Sequence, residues 1–254
     1  MENDNVDMEN LHPDVRGRSG RIGPNHWQIR NNVMHYNVND IYPCIQGEGV
    51  HTGVPMTLIR LQGCAVGCPW CDTRETWDCL GENKVALTEA MGTNAKWAGL
   101  SAEELLAHIS DQSQRPHWIL LTGGEPAEQD LGLLVSRLKQ AGYKVAIETS
   151  GTSAGHFEAD FDWVCVSPKF DMPGGREVLP DCLGRAHEIK HVVGKPAHIE
   201  RLDRALNKVR LRDDVTISLQ PVSLSKKATE LCIETVIRKG WRMSLQTHKF
   251  IRQR

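Results

Sequence analysis

Met56-Thr-Leu-Ile-Arg60-Leu-Gln-Gly63-Cys64-Ala-Val-Gly67-Cys68-Pro-Trp70-Cys71-Asp72-Thr73 is a β-rich apolar run that breaks at Gly63 into a loop carrying three cysteines within eight positions. Residues 56–61 read as a strand. The glycines at 63 and 67 let the backbone that follows wrap closely around an inorganic core. Thiolates are soft ligands that suit iron–sulfur clusters or zinc. A structural zinc ion would need a fourth protein ligand, for which Cys79 is the nearest candidate. A four-iron cluster on Cys64, Cys68 and Cys71 would instead keep one iron open to a small molecule.

Outward from this loop, strand and helix patterns alternate. Extended runs fall at 35–42, 117–121, 144–148, 163–166, 188–193, 215–219 and 241–245, with amphipathic helical stretches at 101–110, 130–141, 198–209 and 226–239. This order predicts an α/β fold with a mostly parallel sheet, curled toward an open or closed barrel by right-handed crossovers. Polar signatures end the strands: 63–73, Thr122-Gly-Gly124-Glu125-Pro126, Glu148-Thr-Ser-Gly151, Ser167-Pro168-Lys169 and Gln220-Pro221-Val222-Ser223. That edge is where parallel α/β folds bind ligands, so one shared site is expected.

Composition narrows the function classes. Lys plus Arg number 30 against 32 for Asp plus Glu, a net charge of -2 with no broad field for holding nucleic acid. No stretch carries the roughly twenty apolar residues that span a bilayer, and the acidic, polar start lacks a secretory pattern, so a cytoplasmic location with no membrane partner is expected. In that reducing setting eight cysteines do not suggest a disulfide framework. Residues 1–33 read as an N-terminal extension without periodicity and 34–254 as the catalytic unit.

The C-x3-C-x2-C array, with Trp70 before its last cysteine, resembles the signature of the radical S-adenosylmethionine superfamily. The resemblance implies a partial or modified (β/α) barrel and a 4Fe-4S cluster on Cys64, Cys68 and Cys71. It further implies S-adenosylmethionine bound at the open iron and cleaved to a 5'-deoxyadenosyl radical. The Thr122-Gly-Gly124-Glu125 stretch is similar to the motif that holds the cofactor's amino group.

Gln46-Gly47-Glu48-Gly49, Arg60, 64–73, 122–126, 167–169 and Gln246-Thr247-His248-Lys249 in this order resemble, within that superfamily, the 7-carboxy-7-deazaguanine synthases of the queuosine route, over about residues 34–254. That resemblance implies conversion of 6-carboxy-5,6,7,8-tetrahydropterin, by hydrogen abstraction at C6, to 7-carboxy-7-deazaguanine with release of ammonia. It implies substrate contacts from Ile45, Gln46, Gly47, Glu48, Arg60, Thr122, His248 and Arg254, and a magnesium ion on Thr73. Cofactor contacts would come from Trp70, Cys71, Asp72, Gly124, Glu125, Glu148, Ser167, Pro168, Lys169, Gln220, Pro221, Val222 and Ser223. A flavodoxin-type electron donor and a homodimer are further expectations. Pro43 departs from the family's usual proline-free strand end. Two alternatives carry part of the pattern: a radical-generating activase of a protein substrate, and a non-enzymatic zinc-binding interaction module.

Overall fold

The computed structural model describes residues 28–30, 33–92, 94–112, 116–155, 159–223 and 225–251. The strands are β1 (Gln28–Arg30), β2 (Val33–Ile45), β3 (Pro55–Leu61), β4 (Ala98–Leu100), β5 (Trp118–Gly123), β6 (Lys144–Thr149), β7 (Trp163–Val166), β8 (Glu188–Val193), β9 (Thr216–Pro221) and β10 (Arg242–Met243). The helices are α1 (Leu87–Ala90), α2 (Ala102–Ser110), α3 (Gly132–Gln140), α4 (Pro180–Arg185), α5 (Pro196–Leu206) and α6 (Lys226–Lys239). Among the described residues no helix is long and apolar enough to cross a membrane.

The strands form one sheet in the order β1-β2-β3-β5-β6-β7-β8-β9-β10, with β4 paired to β2. From β3 to β10 every neighbour is parallel, whereas β2 runs antiparallel to β1, β3 and β4. The expected α/β alternation is present, curled into an open barrel. Its two ends meet: Thr247 N–H donates to the Gly47 carbonyl at 2.9 Å, and Gly49 N–H donates to Ser244 Oγ at 2.9 Å. One backbone bond and one side-chain bond thus do at this seam what a strand ladder does elsewhere.

Pro43 is accommodated without breaking β2. Gln46 N–H donates to Val54 O, and the antiparallel period of two makes Cys44 and Tyr42 point their N–H groups at β3 as well. Pro43, facing the other way, lies on a stretch of β2 that has no second neighbour, the position where a missing donor costs least. The expected extension over 1–33 falls mostly outside the described residues. Its last part, Gln28–Arg30, adds an antiparallel strand to Val33–His35.

Alternation along the strands separates two faces. Ile59, Leu61, Ile119, Leu121, Val145 and Ile147 pack outward against Leu105, Ile109, Leu134, Leu138 and Leu202 of the helices, all with no exposed surface. At about 25 cal/mol per Å² of apolar surface, this layer is the main stabilising term. Inside, Met56, Leu120 and Ala146 plug the N-terminal end of the barrel together with Trp118 and Trp163, and the His51 ring sits tilted between those two, its centroid 4.9 and 4.5 Å from theirs. The same inner face becomes polar toward the C-terminal strand ends, at Thr122, Glu148, Lys190 and Gln220. A capping box helps set α2, Ser101 Oγ accepting from Glu104 N–H while Glu104 Oε2 accepts from Ser101 N–H at 2.7 Å.

Candidate active site

The cysteine loop is folded by its neighbours before any ligand binds. Buried Gln62 donates through Nε2 to the carbonyls of Glu75 and Asp78, both at 2.8 Å, while Gly63 and Cys64 N–H reach Thr76 and Trp77 O at 2.7 and 3.0 Å. These bonds bend residues 62–78 into a closed flap. Gly63 and Gly67 take positive φ, +110° and +69°, within it. Two further glycines let the flap seat: a Cβ on Gly124 would overlap the Gly63 carbonyl, and one on Gly174 would overlap that of Ala65. Glu128 Oε1 accepts from Ala65 N–H at 2.9 Å and completes the cradle.

Cys64, Cys68 and Cys71 share the wall of a 290 Å³ cavity at the C-terminal mouth of the barrel. Burial pushes the Cys68 thiol up to about 11 and the Cys64 thiol further, so a bound cation is needed to favour their thiolate forms. Trp77 Nε1–H donates to Cys71 Sγ at 3.4 Å. Among the described residues no three His, Cys, Asp or Glu side chains converge on a single-ion position. Thiols spread over one wall fit a polynuclear cluster better than a tetrahedral zinc ion. Cys79, the candidate fourth zinc ligand, is not on this wall and accepts from Asn37 Nδ2 at 3.6 Å instead.

The polar strand ends converge on the same cavity. Trp70, Asp72, Thr73, Thr122, Gly124, Glu125, Glu148, Ser167, Lys169, Gln220, Pro221, Val222, Ser223 and Glu48 all line it. Glu125 is also a strut: its Oε1 accepts from Ala127 N–H at 3.0 Å and Thr149 Oγ–H at 2.5 Å, and its Oε2 from Ser150 N–H at 2.6 Å. Lys169 Nζ turns back onto Ser167, 2.6 Å from its Oγ. Four acids and three lysines face the space, a wall with a slight acidic excess suited to S-adenosylmethionine, which carries a sulfonium, an ammonium and a carboxylate.

Several expected contacts lie off this wall. The strand period that turns Cys44 and Gln46 inward turns Ile45 out, 42% exposed. Gln46 sits behind the wall, donating to Glu148 Oε1 at 3.0 Å. Arg60 pairs in register with Thr122 on the inner face, but its guanidinium donates to Tyr42 Oη at 3.0 Å rather than facing the cavity. Pro168 lines a neighbouring cleft with Phe170 and His191. The His248 ring fills the space beside Gly47, where a Cβ would collide with it. Arg254 lies outside the described residues. Cys165, Cys182 and Cys232 are buried packing thiols, as their apolar contexts suggest.

The structure adds Thr149, Ser150, Lys190, Gln246 and Lys249 to the wall. Lys190 Nζ lies 2.6 Å from Glu48 Oε2 and 3.1 Å from Glu148 Oε1, its side chain 3% exposed. Burial opposes charge on Lys190 and Glu48. The attraction to Lys190, with hydrogen bonds from Lys190 and Gln246, nevertheless holds the Glu48 carboxyl well below the usual carboxylate range. Gln246 and Lys249 belong to the C-terminal run visible in the sequence, and Thr149 and Ser150 to the 148–151 loop. Lys190 had no such signal.

A family model described as a 4Fe-4S single cluster domain matches residues 45–171. The chain is 46% identical over 223 residues to the 7-carboxy-7-deazaguanine synthase of Escherichia coli (strain K12), covering 86% of this chain and 99% of that protein. It is 36% identical over 224 residues to the synthase of the same name from Buchnera aphidicola, covering 87% and 100%. A crystal structure of QueE from Escherichia coli superposes with a TM-score of 0.79 at 45% identity, over 84% of this chain and 95% of that one.

Proposed function

Since the chain belongs to the 7-carboxy-7-deazaguanine synthase family, we propose that its cavity converts 6-carboxy-5,6,7,8-tetrahydropterin to 7-carboxy-7-deazaguanine with loss of ammonia. The enzyme is a radical S-adenosylmethionine lyase of deazapurine biosynthesis that uses a 4Fe-4S cluster. The observation that supports the substrate is the meeting, on one cavity, of the cysteine flap with the seam formed by residues 46–49 and 244–249.

Cys64, Cys68 and Cys71 would hold the cluster; bound with S-adenosylmethionine, it supplies the 5'-deoxyadenosyl radical. The protein's part is position and exclusion of water. Gly123 and Gly124 let the end of β5 close against Leu61 and the flap so that its backbone lines the cavity, Ser150 and Ser167 offer hydroxyls, and Gln220 is held by Ser244 Oγ–H at 2.8 Å. Lys169 supplies an ammonium for a carboxylate, and Glu125 an acceptor for an amine. Trp70 would pack against the adenosyl group.

On the substrate side, Glu48 and Thr122 present polar groups directly, with Gln46, Gly47 and His248 supporting the segment from behind. Arg60 would reach the pterin's anionic group by leaving Tyr42, a bidentate pairing for which a guanidinium is suited. Thr73, whose Oγ1 is 3.7 Å from Cys71 Sγ, would give one oxygen to a magnesium ion that also takes the substrate carboxylate. A flavodoxin-type protein in the cytoplasm would deliver electrons to a homodimer.

The test is anaerobic incubation of the reconstituted protein with the pterin, S-adenosylmethionine, magnesium and a reductant. Appearance of the deazaguanine by mass supports the reading. Formation of 5'-deoxyadenosine without it would reject the substrate while keeping the superfamily chemistry.

A further inference from the structure

Lys190, Glu48 and Glu148 come from β8, the turn after β2, and β6, so only the curling of the sheet brings them together. Removing an ammonium from water costs several kcal/mol, and two carboxylates on one lysine still leave a net negative charge inside the barrel. The trio is nonetheless tightly specified. Gln246 Nε2 donates to Glu48 Oε1 at 2.9 Å, Gln46 Nε2 donates to Glu148 Oε1 at 3.0 Å, and Glu48 N–H donates to Gln46 Oε1 at 3.0 Å. Two carboxylates are thereby locked onto the cavity wall, each with acceptor capacity left, since an ionised carboxylate offers about four lone-pair sites.

A ligand matching two neighbouring acceptors must carry neighbouring N–H donors. The aminopyrimidinone ring of a pterin does so, through its amino group and ring nitrogens. Both side-chain partners of Glu148, Lys190 and Gln46, also bind Glu48 or its backbone. We propose that Lys190 is a positioning residue for the substrate, fixing Glu48 and Glu148 as a pair of acceptors for the N–H donors of the pterin ring. Glu148 then serves the substrate rather than the cofactor, the role its loop suggests in the sequence. This inference rests on the substrate proposed above.

The test compares Lys190→Met, Lys190→Arg and the double variant Lys190→Met/Glu148→Gln, all reconstituted. The double variant keeps the trio's net charge of one negative, so it decides the matter if Lys190→Met does not fold. KM for the pterin should rise about tenfold or more in Lys190→Met and in the double variant, as for one weakened charge-assisted hydrogen bond, and less in Lys190→Arg. Affinity for S-adenosylmethionine should stay within about twofold of wild type. A readout free of turnover is calorimetric binding of 7-carboxy-7-deazaguanine to the oxidised, S-adenosylmethionine-loaded protein, which should weaken in parallel. Pterin KM and product affinity within about threefold of wild type, or an equal loss of S-adenosylmethionine affinity, overturn the inference. Wild-type protein that neither converts the pterin nor binds the product overturns the substrate reading, and this inference with it.

Discussion

The backbone N–H of Thr247 donates to the carbonyl of Gly47 at 2.9 Å, and Thr247 Oγ1 donates to the same oxygen at 3.0 Å across 200 residues of chain. This contact joins the two ends of an open sheet at residues 46–49, the segment proposed above to face the substrate. Barrel closure and the proposed substrate site therefore share one structural element.

Gly47→Ala tests that coupling. The added Cβ would collide with the His248 imidazole, so the C-terminal strap has to move away from residues 46–49. The expected cost is about 1–3 kcal/mol, read as a lower urea midpoint, together with a raised KM for the pterin. An unchanged midpoint with unchanged KM would show that the strap is slack.

Gly124→Ala tests the flap's seat. Its Cβ would overlap the Gly63 carbonyl, immediately before Cys64, while the outward core is untouched. The variant should keep its far-UV circular dichroism yet hold less iron and sulfide per chain after reconstitution. Full iron content would mean that the flap tolerates displacement.

His191 sets an acid limit on stability. Burial, with help from Lys169 and His198, lowers it to about 3 from the usual 6.5. The folded chain keeps the ring neutral, whereas the unfolded chain takes up a proton below about 6.5. The stabilising contribution is therefore complete above that pH and is lost as pH falls toward 3, by up to about 1.4 kcal/mol per pH unit from this group. Urea unfolding of wild type against His191→Gln between about pH 7 and 5 should give a shallower pH slope for the variant.

Much of this molecule is legible in residue order. Runs such as Trp118–Gly123 and Lys144–Thr149 carry their own strand period, and Gly63, Gly67 and the cysteines announce the flap locally. The short ladders Gln28–Arg30 and Ala98–Leu100 are too brief to show a period, and exist because β2 offers an edge. Lys190 is hidden for another reason. In Glu188–Val193 it alternates with Ile189 and His191, and only the curl of the sheet decides that its face looks inward. Arg60 illustrates the converse: its inward position follows from strand period, but its present partner, Tyr42, depends on packing across β2 and β3.

In the reading proposed above, Cys64, Cys68 and Cys71 would hold a four-iron cluster with one iron open to S-adenosylmethionine. The most direct measurement is electron paramagnetic resonance of the reconstituted, reduced protein with and without S-adenosylmethionine, beside iron, sulfide and zinc analysis. About four irons and four sulfides per chain, with a signal that changes when S-adenosylmethionine is added, is the predicted result. One tightly held zinc per chain and no signal would rule the cluster out.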